Sequence, residues 1–138
     1  MIVNKRIELR TEGRGQVLDI TEQVSHQVQA AGLKNGIVIL FAPSSTSALT
    51  TIEYEPGAVY DLQQLFERIA PVDLDYRHNL RWGDGNGFAH VRHALLGPSL
   101  TIPVADGQMT LGTWQQIVFI DFDNRARSRS IVVQIHGE

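Results

Sequence analysis

Five histidines, ten arginines and no cysteine bound the chemistry open to this chain. Without cysteine there are no disulfides, thiolate nucleophiles, iron–sulfur clusters or Cys-based zinc sites, so proton transfer and metal binding fall to imidazole and carboxylate. His90 and His93 stand three apart and would be neighbours on a helix surface. Together with His78 they are of the type that moves protons or holds a metal. His26 falls on a solvent-facing helical position and His136 on a strand; neither is given a role.

Three further features interrupt the apolar elements. Ser44-Ser45-Thr46-Ser47 lies in a stretch with no charge between Asn35 and Ile52. Its hydroxyls and amides could cradle an anion, or could satisfy their own backbone as an ST-turn. Gly83-Asp84-Gly85-Asn86-Gly87 precedes a helical stretch whose positive N-terminal end attracts anions; a plain turn is the competing reading. No Gly-Lys-Ser/Thr follows, so it is not a Walker loop. Phe88 occupies the third ligand position after Asp84 and Asn86, so it is not an EF-hand loop either. Arg125, Arg127 and Arg129 crowd one turn, while Arg77 and Arg81 flank His78. Guanidinium forks suit phosphate or carboxylate. The default for the turn is a solvated run balancing Asp121 and Asp123.

The elements that must position these residues follow from periodicity. Ile2 to Arg10 alternates as a half-buried strand, and Val17, Ile20, Val24 and Val28 predict an amphipathic helix stopped at Gly32. Gly36 to Phe41 reads as a strand buried on both faces, and Ala48 to Tyr54 as another. A helix from Pro56 or Gly57 is carried by Val59, Leu62, Leu65, Phe66 and Ile69 and ended by Pro71. Asp73 to Gly87 is irregular, and a short helix spans Phe88 to Leu96 with Asn86 near its N-cap. Leu100–Val104, Met109–Leu111, Trp114–Phe122 and Ser130–His136 read as strands, with an Asp106-Gly107 hairpin turn. This order predicts an α+β fold with a largely antiparallel sheet covered by helices on one side.

At 138 residues, 43% hydrophobic and 20% charged, the chain is sized for one folded domain, residues 1–138. A formal charge of −3 argues against a nucleic-acid partner. No apolar run reaches the roughly 20 residues of a membrane span, and none at the N-terminus reads as a signal peptide. The expectation is a soluble cytoplasmic domain with no membrane partner.

Taken together, several segments resemble one known family. They are Ser45-Thr46-Ser47-Ala48, Tyr76-Arg77-His78 through Asn86 to His90, Leu95-Leu96-Gly97-Pro98-Ser99-Leu100, Gly112-Thr113-Trp114-Gln115, and Val132-Val133-Gln134-Ile135-His136-Gly137-Glu138. In this order and spacing they are similar to the YjbQ family, also called the secondary thiamine-phosphate synthase family. The resemblance implies a barrel-like, mostly antiparallel sheet and a homotrimer. It implies a weak coupling of a hydroxymethylpyrimidine diphosphate with a thiazole phosphate, at a pocket between subunits. There His78 and His90 would transfer protons or bind Mg²⁺ or Zn²⁺. Arg127 and Ser45, Thr46 and Ser47 would hold phosphate, and Trp114 would form an apolar wall; Asp84, Asn86 and Gln115 match further polar positions. Two positions depart from the pattern. Family members usually carry His where Ser45 stands, and many carry a second His where Phe88 stands. The hydroxyl of Ser45 weakens any metal site and shifts the expectation from transferase toward a non-catalytic site for a small anion or phosphate ester.

Overall fold

The strand that organises the molecule is β8 (Arg127–Gly137), which lies between β1 (Ile2–Thr11) and β3 (Gly36–Phe41) and pairs antiparallel with both. The computed structural model describes residues 1–138. Beyond β3 come β5 (Ser99–Ala105) and the short β6 (Gln108–Met109), completing a curled five-stranded sheet. A second sheet places β7 (Gln116–Asp121) between β2 (Gln16–Asp19) and β4 (Ser47–Ile52), again antiparallel. The helices are α1 (Thr21–Ala31), α2 (Pro56–Ile69), α3 (Arg77–Trp82) and α4 (Gly87–Leu96). The fold is α+β, and no helix is long and apolar enough to cross a membrane.

Two apolar clusters meet at β7. Its odd residues Ile117 and Phe119 join α1 and the inner face of the larger sheet. Its even residues Val118 and Ile120 join Phe66 of α2 and Phe88 and Ala89 of α4. The period of two in an extended chain places alternate side chains in opposite cores. This accounts within one chain for the apolarity of Ile117 to Phe122. The strand expected to be buried on both faces is instead one-sided: Val38 and Leu40 of β3 are buried, while Ile37 and Phe41 are 37% and 42% exposed.

Three further differences have local causes. The helical spacing read from Val17 begins too early, because Val17 lies in β2 and enters one cluster while Ile20, Val24 and Val28 enter the other. Asp19 then accepts from the Thr21 amide and hydroxyl (2.9 and 2.6 Å), turning the chain into α1, and Gly32 caps it at φ 70° as expected. On α2 only Phe66 is buried; Leu65 and Ile69 stand 42% and 52% exposed. The segment read as irregular holds the six-residue helix α3, which lacks an apolar stripe because Leu80 and Trp82 are exposed.

Candidate functional site

The site begins where α3 meets the N-terminal end of α4. Asn79 accepts from the Gly87 amide through Oδ1 (2.9 Å), which ties the two helices together. Gly87 is required by this approach: an added Cβ would stand 2.5 Å from the Cβ of Tyr76. The result is that the His78 and His90 rings stack, centroids 4.1 Å apart and planes 37° from parallel. Burial is the first cause lowering the His90 pKa from 6.5, and the charge of His78 is the second; Asp123 and Asp84 act the other way. His90 is therefore neutral near pH 7 and suited to accept a proton. His78 Nδ1 lies 4.0 Å from Asp84 Oδ1, too far for a hydrogen bond, and is buried with no partner; Asn86 Oδ1 is in the same condition.

Behind this pair lies a network of buried charge. Asp121 is fully buried and accepts from Thr11 Oγ1 (2.6 Å) and from Arg129 through Nε (2.7 Å) and Nη2 (2.9 Å). Asp123 accepts from Thr46 Oγ1 (3.1 Å), Asn86 Nδ2 (3.2 Å) and Arg127 Nε (3.0 Å). Burial alone would raise the Asp123 pKa. The Asn124 amide, the Asn86 amide and Arg127 outweigh it and hold the carboxyl below its ordinary range. The arginine turn is thus not a solvated run; its two aspartates are nearly without solvent contact. Sequence reading missed Arg129 and both aspartates as site-supporting residues. The available signal was two carboxylates ending an apolar strand, since buried carboxylates require fixed partners.

The structure gathers some of the expected residues and separates others. His78, Asp84, Asn86 and His90 come together, and Thr46 and Arg127 reach them through Asp123. Thr46 and Ser47 do not form a free anion cradle. Thr46 is bonded to Asp123 and Arg129, and the Ser47 hydroxyl is bonded to that of Ser44. Of the expected hydroxyls only that of Ser45 is exposed and uncommitted. His93 does not join the His78–His90 ring pair; it donates through Nδ1 to the Ser47 carbonyl (2.6 Å). Trp114 and Gln115 precede β7, and the six-residue length of that strand, about 20 Å at the usual rise, separates them from Asp121. There Gln115 bonds Thr51 and the Gly112 amide, and Trp114 is 71% exposed. They belong to no common site within one chain. For a metal, no three His, Asp or Glu side chains are placed to hold one ion together, the neighbouring His78, His90 and Asp84 included. Two imidazoles are one short of an open zinc site, so the residues present do not fit a resident metal.

Comparison with known proteins agrees with this architecture. A family model described as UPF0047 protein YjbQ-like matches residues 5–138. A UPF0047 protein of Methanothermobacter thermautotrophicus is 39% identical over 137 residues, covering 99% of this chain and 94% of the relative. The UPF0047 protein YugU of Bacillus subtilis is 30% identical over 135 residues, covering 96% and 98%. Among solved structures, a hypothetical protein from Aeropyrum pernix K1 superposes with a TM-score of 0.92 at 32% identity over 99% of each chain. A YbjQ-like protein of unknown function from Sulfolobus solfataricus P2 gives 0.91 at 31% over 100% of both. With the sequence matched nearly end to end and the fold superposed throughout, the chain belongs to the YjbQ-like UPF0047 family.

Proposed function

We propose that this chain binds a small phosphorylated or otherwise anionic ligand at the His78–His90 pair, as a binding module and not as a transferase. The observation that carries this reading is the pair itself: stacked imidazoles, one of them kept neutral by burial and by its neighbour. An arriving anion adds counter-charge to that of Asp84 and Asp123, so the pair takes up a proton as the ligand binds. The positive end of α4 and the exposed Arg77 and Arg81 on α3, neither in an ion pair, favour negative charge there. Thiamine-phosphate synthase chemistry would need cations free to neutralise a departing diphosphate. Arg127 and Arg129 are already paired with Asp123 and Asp121, which leaves that task to the exposed Arg77 and Arg81 alone and favours binding over turnover.

Calorimetric titration tests this. Phenyl phosphate binds, and phenyl sulfate, whose charge is constant, binds more tightly at about pH 6 than at about pH 8, with net proton uptake. His90→Gln removes the pH dependence. Equal affinity at the two pH values, or no binding of either ester, overturns the reading.

A further inference from the structure

Away from the histidine pair, a cavity of about 460 Å³ lies between α2 and the outer face of the smaller sheet. Its walls are Phe66, Phe88, Phe122, Leu62, Val17 and Ile120. Phe66 and Phe122 meet edge to face at 4.8 Å and, with Phe88, form the covered floor of the space. The volume is that of a small-molecule pocket, and the lining is half apolar and half polar, with Arg14, Gln63, Gln64, Glu67, Arg92 and Asn124 among the polar residues.

The polar groups are placed with unusual constraint. Arg92, 5% exposed, lies over the Phe88 ring at 5.0 Å and is fixed by the Ala70 carbonyl and by Glu67. Arg92 is therefore charge-balanced within the wall. Arg14 is not: it lines the same cavity, its side chain is exposed, and it forms no ion pair. It also has φ 58°, a left-handed conformation that a non-glycine residue rarely adopts. Gly13 and Gly15 on either side share that conformation, and the Arg14 and Gly15 amides donate to the Asp123 and Asp121 carbonyls at 2.6 and 2.8 Å. Gln63 of α2 donates to the Gly15 carbonyl (3.0 Å). The turn is thus pinned from two sides while holding an arginine in a strained backbone at the rim. Strain retained by surrounding bonds is characteristic of ligand clamps.

We infer that this cavity is a second ligand site, for a flat apolar molecule carrying one anionic group, with the rings against Phe66, Phe88 and Phe122 and the anion at Arg14. Carboxylate, sulfonate and phosphate share the required chemistry. The site is separate from the histidine pair, whose ligand is recognised by imidazole.

The probe is 8-anilinonaphthalene-1-sulfonate, added to the full chain and followed by fluorescence. One saturable site is expected. Arg14→Asn, which tolerates the left-handed backbone, weakens binding about tenfold or more through loss of a charge-assisted bond. Leu62→Trp fills the space and abolishes the signal. Competition separates an aryl anion from a bare one: 1-naphthoate and 1-naphthyl phosphate displace the probe, while inorganic phosphate does not. His90→Gln leaves probe binding unchanged, and Arg14→Asn leaves the pH dependence of phenyl sulfate binding unchanged, so failure of the histidine site and failure of this one are distinguishable. Absence of saturable binding, or wild-type affinity in both Arg14→Asn and Leu62→Trp with unchanged thermal unfolding, overturns the inference. So does probe affinity that falls as protein concentration rises, which would make a second copy the occupant.

Discussion

Among single residues, Arg129 carries the largest structural consequence. It is 12% exposed and forms two hydrogen bonds to an Asp121 carboxylate with no solvent contact. Removing one partner of a buried pair strands the other charge, which costs about 3–5 kcal/mol. Arg129→Ala should therefore lower stability by about that amount in urea unfolding, whereas exposed Arg125→Ala changes it by less than about 0.5 kcal/mol. Ser45 carries a different consequence. It stands beside Thr46, whose hydroxyl reaches Asp123 and through it Asn86 at the start of the His90 helix. Ser45→His should supply a third imidazole and raise zinc affinity by at least about tenfold, roughly 1.4 kcal/mol, in calorimetric titration. Equal affinities would show that position 45 does not join His78 and His90.

At the scale of elements, the α3–α4 junction makes stability depend on pH. The folded His90 binds a proton less readily than the unfolded chain, whose ordinary value is 6.5. Stability from this residue is present above that pH and falls as pH drops through it, because the unfolded state then takes up more protons. Thermal unfolding should show this decline, and His90→Gln should flatten it. Asp123, held below its ordinary 3.8, adds a second loss in the same direction only at still lower pH. How much of this was legible beforehand differs by element. The bounds of β3, the glycine stop of α1 and the Asp106-Gly107 turn follow from local sequence, because periodicity and positive φ are local demands. The start of α1 was not legible, since Val17 and Ile20 belong to opposite cores and only the tertiary arrangement separates them. The stacking of His78 on His90 was equally hidden. It depends on Gly87 admitting Tyr76, a contact no spacing rule fixes.

For the whole molecule, apolar surface remains after both clusters are filled. Leu65 and Ile69 on α2 and Val91 and Leu95 on α4 form i,i+4 pairs that are 42–62% exposed. Exposed apolar pairs on adjacent helices favour association, and we propose the homotrimer that the family resemblance implies. Light scattering at micromolar concentration should give about three times the 15.4 kDa chain mass, and a monomer would refute it. Leu65→Glu with Leu95→Glu should shift the mass toward the monomer.

The central position of β8 has a consequence for biosynthesis. Its partners in β1 are paired from Ile2↔His136 to Thr11↔Arg127, so the larger sheet joins segments far apart in the chain. While the ribosome is still upstream of Arg127, β1 and β3 have no strand between them, and Val38, Leu40 and Ile7 lack their cover. Loop closure over such separations is slow, and the waiting strands present open edges. A nascent chain arrested before residue 127 should remain protease-sensitive throughout, and release of the last strand should convert it to a resistant form in one step.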